Sequence, residues 1–301
     1  MASPSDIQRP VALVTGVSGF TGHYVAAELE RSGYAVRGLE GDDLRTEAVD
    51  LTDRNAVRGA VERLQPRVVV HLAAISFVAH GDADAIYRVN VVGTRNLLEA
   101  LAAEPIGPSH VILASSANIY GNVGGLIGED VPPSPQNDYA VSKLAMEHMA
   151  RLWTDRIPIT IVRPFNYTGV GQSEKFLLPK IVSHFRHKAE LIELGNLDVS
   201  RDFNDVRAVT TSYERLLRVP AGQVFNICSG HEYSLRGIIS MMEAISGHRM
   251  EVRVNPDFVR PNEVKQLRGD PSRLASTIGE LPAYALAETL RWMYENPARP
   301  D

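Results

Sequence analysis

Short aliphatic runs alternate with stretches of helical apolar spacing through the first half of the chain. Residues 11–15, 35–39, 67–72 and 110–114 read as strands, and residues 25–31, 56–64, 85–103 and 139–153 carry apolar positions at helical intervals, with Asp53 placed to cap the second helix. Runs that are apolar on both faces are strands covered by helices on either side, so the pattern predicts a parallel, doubly wound α/β sheet with right-handed crossovers. A further strand at 159–163 stops at Pro164, and Gly169, Gly171 and their polar neighbours mark a change of character. The boundary falls there. Residues 1–164 form the doubly wound domain, and residues 165–301 form a smaller α+β lobe with helices near 176–187, 206–218, 235–245 and 284–294. The strand at 224–227, within a 200–230 segment, is in position to return to the first sheet.

Composition narrows the classes of function. With 301 residues, 44% hydrophobic and 22% charged, the chain is globular, and a net charge of -5 with scattered arginines argues against a nucleic-acid partner. Cys228 is the single cysteine, which rules out an intrachain disulfide and a cysteine zinc cluster; no metal is expected. The first ten residues are polar and no run reaches about 18 apolar residues, so a cytoplasmic, non-membrane protein is expected.

The first strand turns into a helix through Gly16-Val17-Ser18-Gly19-Phe20-Thr21-Gly22. Such a turn aims backbone N–H groups and the positive end of the helix dipole at one point, which suits a pyrophosphate. A glycine turn that merely closes a βα unit looks the same in isolation; the strand before and helix after it point to a dinucleotide held by Gly16, Gly19, Phe20, Thr21 and Gly22. Glu40 ends the second strand, where a carboxylate accepts from an adenosine ribose, favouring NAD(H) over NADP(H), although Arg37 or Arg45 can serve a ribose phosphate.

Tyr139 and Lys143 lie one helical turn apart. A nearby ammonium stabilises a phenolate, which would let Tyr139 give a proton to a developing alkoxide or remove one from an alcohol near neutral pH. The spacing alone is weak evidence. Ser115 and Ser116 add to it by ending a strand where open α/β sheets bind ligands, and Ser116 can hold the substrate oxygen. His71 ends an apolar strand and reads as structural.

The ordered set of the glycine turn, Asp50-Leu51, His71-Leu72-Ala73-Ala74, Asn90-Val91-Val92-Gly93-Thr94, Ser115-Ser116-x-x-x-Tyr120-Gly121 and Tyr139-x-x-Ser142-Lys143 resembles the extended short-chain dehydrogenases/reductases. That resemblance implies a two-lobed fold, with residues 1–164 a dinucleotide-binding Rossmann domain and residues 165–301 mainly a nucleotide-sugar-binding lobe, and a catalytic triad of Ser116, Tyr139 and Lys143. Asp50 and Leu51 would frame the adenine, and Leu72, Ala73, Ala74 and Pro164 would line the dinucleotide path. Ser76 would touch the sugar, and Asn90 would support the site. The later motifs, Arg163-Pro164-Phe165-Asn166-Tyr167, Ser200-Arg201-Asp202-Phe203 and Arg260-Pro261-Asn262-Glu263, are most similar to GDP-4-keto-6-deoxymannose reductases and the related GDP-mannose 4,6-dehydratases. The implied partner is a nucleotide diphosphate sugar, GDP-linked, with Arg201 and Arg260 on its phosphates, Asn166 beside them and Glu263 on ribose hydroxyls.

Dehydratases of this kind follow the active-site threonine with an acid, whereas Ser116 is followed by Ala117 and Asn118. Reduction of a 4-keto group is therefore the expected reaction, giving a rhamnose-type or talose-type product. A nucleotide-sugar 4-epimerase with tightly held NAD is the alternative within the enzyme class, and a catalytically silent regulatory protein the alternative outside it. Tyr167 and Val170 replace the histidine and proline usual in these reductases. The resemblance also implies a homodimer formed through a four-helix bundle that includes the helices of Asn90 and Tyr139.

Overall fold

The computed structural model describes residues 9–39, 48–76, 82–258 and 265–297. Glu40, Arg45, Arg260 and Glu263 lie outside the described residues. In chain order the elements are β1 (Val11–Thr15), α1 (Phe20–Arg31), β2 (Ala35–Arg37), α2 (Arg54–Leu64), β3 (Val68–His71), α3 (Ala83–Tyr87), a π-helical turn (Arg88–Gly93), α4 (Thr94–Ala103), β4 (His110–Ala114), a 3-10 turn (Ala117–Tyr120), β5 (Leu126–Ile127), α5 (Asp138–Arg151) and β6 (Ile159–Pro164). There follow β7 (Asn166–Thr168), α6 (Leu177–Arg186), β8 (Leu191–Leu194), β9 (Ser200–Asp205), α7 (Val206–Leu216), β10 (Val224–Ile227), β11 (Glu232–Ser234), α8 (Leu235–Ser246), β12 (Glu251–Val254), a 3-10 turn (Pro256–Phe258), β13 (Gln266–Gly269), α9 (Ser272–Ile278) and α10 (Leu286–Glu295).

The chain forms two compact units, one from residues 1–115, 137–162 and 210–224, the other from 116–136, 163–209 and 225–301. A six-stranded sheet runs in the order β10-β6-β4-β3-β1-β2. Its pairings β1–β2, β1–β3, β3–β4 and β4–β6 are all parallel, as expected for strands joined by helical crossovers. The chain steps to β2 on one side of β1 and to β3 on the other. The carboxyl ends of β1 and β3 therefore flank the point where strand order reverses, the place where open α/β sheets bind ligands.

Both faces of these strands are buried, because alternate residues serve opposite layers. Leu13, Val69, Val111, Leu113, Ile159 and Ile161 pack on one side with Val57, Ala60 and Val61 of α2, Leu97, Leu98 and Leu101 of α4, and Met146 and Ala150 of α5. Ala12, Val14, Val70 and Ile112 are equally buried on the other. Asp53 caps α2 as expected, accepting the N–H groups of Asn55 and Ala56. The single helix expected over 85–103 is instead α3, the π-turn and α4: an apolar period carries no mark of the wider turn in its middle.

In the second unit a mixed sheet of order β11-β9-β13-β5, with β7 also paired to β9, accompanies a two-stranded pair β12-β8. Its core gathers Leu178, Ile181 and Phe185 of α6, Phe203 of β9, Ile238 and Met242 of α8, and Leu290 and Met293 of α10. Arg207 fastens α10 from outside the core. Its guanidinium lies 4.0 Å from the Tyr284 ring centre and 4.2 Å from that of Trp292, while Asp205 accepts from both its Nε and Nη2. Among the described residues no helix is long and apolar enough to cross a membrane.

Candidate active site

The turn after β1 is shaped by contacts only glycine allows. Gly16 sits at φ +70°, and a Cβ on it would lie 3.0 Å from the backbone nitrogen of Ala73; a Cβ on Gly22 would fall 2.1 Å from the Gly16 carbonyl oxygen. These two glycines let the start of α1 close on β1 and the segment after β3 close on the turn. Gly19 differs, because a Cβ there would meet nothing nearer than the Gly16 oxygen at 3.2 Å. It is the N-cap of α1 and no side chain caps that end.

Ala73 and Leu51 are buried, Leu72 and Ala74 are partly exposed, and Ser76 and Asp50 are exposed. Asp50 accepts from the N–H and hydroxyl of Thr52 at 2.8 and 2.9 Å, and Asn96 donates to the Leu51 carbonyl at 3.0 Å. Asn96 was missing from the sequence reading, although it lies two residues beyond Thr94 in the motif that begins at Asn90. Leu51 packs over Gly93, where a Cβ would approach the Leu51 Cβ to 3.1 Å.

Tyr139 and Lys143 are both buried on α5, whose start is capped by Asn137. Lys143 Nζ donates to the carbonyl of Ala114, the last residue of β4, at 2.7 Å. Burial lowers the lysine to about 8, partly offset by the charge of Glu147 one turn on. An ammonium so close to its own titration point is held next to the strand that leads into Ser115 and Ser116. Ser115 is buried and its hydroxyl has no partner. A polar atom left unpaired at a strand end is the mark of a site built for a polar ligand. Ser116 is also buried, and its hydroxyl accepts the Asn118 N–H, capping the 3-10 turn.

Asn90 lies on the π-turn and is fully engaged. Its Oδ1 accepts from Ile75 N–H at 2.9 Å, and its Nδ2 donates to the Ile75 carbonyl at 3.2 Å and to Ser142 Oγ at 3.0 Å. The site-flanking segment 75–76 is thereby tied to α5. His71 is buried between Thr15 and Thr94, at 2.7 and 2.8 Å, and burial, reinforced by the charge of Lys143, lowers it to about 3. It is neutral across the working range, in keeping with its structural reading.

The second unit holds Asn166, Arg201 and Pro164. Asn166 is exposed and donates from Nδ2 to the Asp202 carbonyl at 3.3 Å, Arg201 is half-buried with Nη1 on the Ser200 carbonyl at 2.9 Å, and Pro164 is half-buried at the end of β6. Asp202, which follows Arg201 in sequence, stood in the quoted motif but was given no role. It is wholly buried, and its carboxylate accepts from Ser229 N–H and Oγ, Gly230 N–H and Gly269 N–H. Arg163, also buried, donates to the hydroxyl of Tyr120 at 2.8 Å and the carbonyl of Glu129 at 3.0 Å, and Tyr120 donates to Asn226 at 2.8 Å. Motif letters that pointed to a family, Arg163, Tyr120 and Asn226, are thus scaffold for this unit.

Residues 13–293 match the family described as GDP-mannose 4,6 dehydratase. The chain belongs to that family. Within the extended short-chain dehydrogenases/reductases it is an NAD(P)-dependent oxidoreductase of nucleotide sugars. It is 38% identical to the GDP-6-deoxy-D-talose 4-dehydrogenase of Aggregatibacter actinomycetemcomitans, covering 94% of this chain and 97% of that one. The GDP-6-deoxy-D-mannose reductase of Pseudomonas aeruginosa is 33% identical over 92% of this chain and 94% of its own. Among solved structures, a putative epimerase from Burkholderia cenocepacia superposes with a TM-score of 0.90 at 51% identity, covering 95% of this chain and 98% of that one. The structure titled RMD from Pseudomonas aeruginosa, complexed with NADPH, gives a TM-score of 0.84 at 32% identity, covering 96% and 97%.

Proposed function

We propose that this protein reduces the 4-keto group of a nucleotide-linked 4-keto-6-deoxy sugar, GDP-4-keto-6-deoxy-D-mannose in the first instance, to a GDP-6-deoxyhexose. The observation that carries the reading is the residue set at the end of β4: Ser115 and Ser116 are followed by Ala117 and Asn118, with no carboxylate at either position, while α5 presents Tyr139 with Lys143. Elimination of water needs an acid and a base that these positions do not supply. A ketone reduction needs one proton donor and a hydride source. Relatives named as a talose 4-dehydrogenase and a mannose reductase, both GDP-linked, support the same C4 chemistry and leave the product face open.

A nicotinamide dinucleotide bound at the glycine turn would supply the hydride. Gly16, Gly19, Phe20, Thr21 and Gly22 would hold the pyrophosphate, Asp50 and Leu51 the adenine end, and Leu72, Ala73, Ala74 and Pro164 the path between. Glu40 favours NAD(H), whereas a related structure carries NADPH, so both reduced cofactors belong in the assay. Tyr139 gives its hydroxyl proton to the C4 oxygen, Ser116 orients that oxygen, and Lys143 stabilises the phenolate left behind. Arg201 and Arg260 hold the diphosphate, with Asn166 beside them, Ser76 on the sugar and Glu263 on the nucleotide ribose.

The exposed apolar residues Val92, on the π-turn, and Val141, on α5, favour a dimer formed through these helices, which sedimentation velocity reads directly. Incubation with GDP-, dTDP- and UDP-linked 4-keto-6-deoxy sugars and each reduced cofactor, followed by NMR of the product, tests the function. Cofactor oxidation matched one for one by a 6-deoxyhexose product supports reduction. Keto sugars left unreduced, with 4-hydroxy nucleotide sugars converted to their 4-epimers without net cofactor use, would assign the protein to the epimerases instead.

A further inference from the structure

In the first unit, Ala73 and Tyr139 are joined through buried polar groups in one directed chain by way of Thr15, His71, Thr94, Asn90 and Ser142. Thr15 Oγ accepts the Ala73 N–H at 3.1 Å and lies 2.7 Å from His71 Nδ1; His71 Nε2 lies 2.8 Å from Thr94 Oγ, which donates to the Asn90 carbonyl at 2.8 Å. The Asn90 side chain donates to Ser142 Oγ at 3.0 Å, and Ser142 donates to the carbonyl of Tyr139 at 2.7 Å. A hydroxyl has one proton, and that of Thr94 is spent on Asn90, so His71 Nε2 must carry the hydrogen between them. Nδ1 is then bare and takes the proton of Thr15. The tautomer of His71 is fixed without appeal to pH, and every group donates in the same sense, from the segment over Gly16 to the helix of Tyr139.

We propose that His71 and Thr94 are positioning residues of the reaction, setting the height of the helix that carries Tyr139 and Lys143 against the strand ends where the dinucleotide turn lies. The inference rests on the function proposed above. His71 joins Thr15 at the end of β1 to Thr94 at the start of α4, and Asn90 and Ser142 carry the chain on to α5, so the chain spans the elements whose relative placement decides where hydride donor and proton donor meet. The π-turn fits the same role, since its wider turn includes Asn90, whose backbone carbonyl takes the Thr94 proton while its side chain engages Ser142.

Thr94→Val keeps the volume and removes the hydroxyl, while Thr94→Ser keeps the hydroxyl. With the full-length protein, NADPH and the keto sugar it reduces, Thr94→Val should lower kcat by about 10- to 100-fold, with NADPH Kd and sugar KM within about threefold. Thr94→Ser should restore kcat to within about threefold of the parent. Ser142→Ala, which leaves His71 and Thr94 intact, should give the same split and carries the test should Thr94→Val not fold. Wild-type kcat in these variants, or kcat, KM and Kd worsening together with the folded fraction, would overturn the relay. NMR of isotope-labelled protein reads it without turnover: the His71 ring should be protonated on Nε2, and the Tyr139 ring resonance should move in Ser142→Ala. An unmoved Tyr139 resonance refutes the relay, whereas a parent protein that reduces no keto sugar refutes only the function on which it rests.

Discussion

The two compact units bury polar side chains for different ends. In the first, Thr15, His71, Thr94, Asn90 and Ser142 run between elements that the sheet and its helices already define, and they converge on α5. In the second, polar groups stand in for regular structure. The Asp202 carboxylate collects Ser229 and Gly230 from the connection between β10 and β11 and Gly269 from the end of β13, and Asn226 is held between Tyr120 and the carbonyl of Ile127. In the first unit, then, polar pairing tunes a frame that burial has built; in the second it is part of the frame. Substitutions should therefore separate activity from stability in the first unit and couple them in the second.

The largest effect belongs to α5. Tyr139→Phe or Lys143→Met should cut turnover by about 100-fold or more, and Tyr139→Phe should leave dinucleotide affinity nearly unchanged, measured by fluorescence titration. Turnover within a few-fold of the parent in Tyr139→Phe would remove its assigned role.

The glycine turn gives a sharper contrast within the first unit. Gly22→Ala drives a methyl into the Gly16 carbonyl and should cost about 2–3 kcal/mol in urea unfolding. Gly19→Ala brings a methyl only to 3.2 Å of the Gly16 oxygen and should cost less than about 1 kcal/mol while weakening the dinucleotide at least tenfold. Equal stability losses would show that both glycines serve the fold alone.

Asp202→Asn keeps the shape but faces an N–H donor with others and should cost about 1–2 kcal/mol, lowering the urea midpoint together with sugar binding. Loss of sugar binding at unchanged stability would contradict the contrast between the units.

A separate effect is set by pH. Burial holds His71 at about 3 and His110 at about 4, against an ordinary 6.5 in the unfolded chain. Below that value the unfolded state binds protons that the folded state refuses. Stability is therefore complete above about pH 6.5 and declines as pH falls toward 4 and then 3, by at most about 1.4 kcal/mol per unit for a fully buried histidine. Urea midpoints at neutral pH and near pH 5 should show the fall. A flat profile would mean that these rings are protonated in the fold.

Legibility in the sequence follows the same division. β1 and β4 begin and end at the residues their apolar runs predict, because a strand buried on both faces writes itself as a continuous run. Tyr139 and Lys143 were legible because one helical turn separates them. The π-turn was not, since one widened turn leaves the apolar spacing around it intact. β8, β11, β12 and β13 are strands of three or four residues, too short to establish a period of two. Asp202 was hidden for another reason: a buried carboxylate satisfied by three backbone N–H groups depends on residues about 27 to 67 positions away, and no local pattern encodes them.

The most direct test of the central claim follows the hydride. The protein is given GDP-4-keto-6-deoxy-D-mannose with NADPH, and separately NADH, deuterated at the transferred position, and the product is read by NMR. The account predicts a GDP-6-deoxyhexose with one deuterium at C4 for each cofactor oxidised, abolished in Tyr139→Phe. Keto sugar left unreduced, a GDP-6-deoxyhexose without deuterium at C4, or turnover that survives in Tyr139→Phe would contradict it.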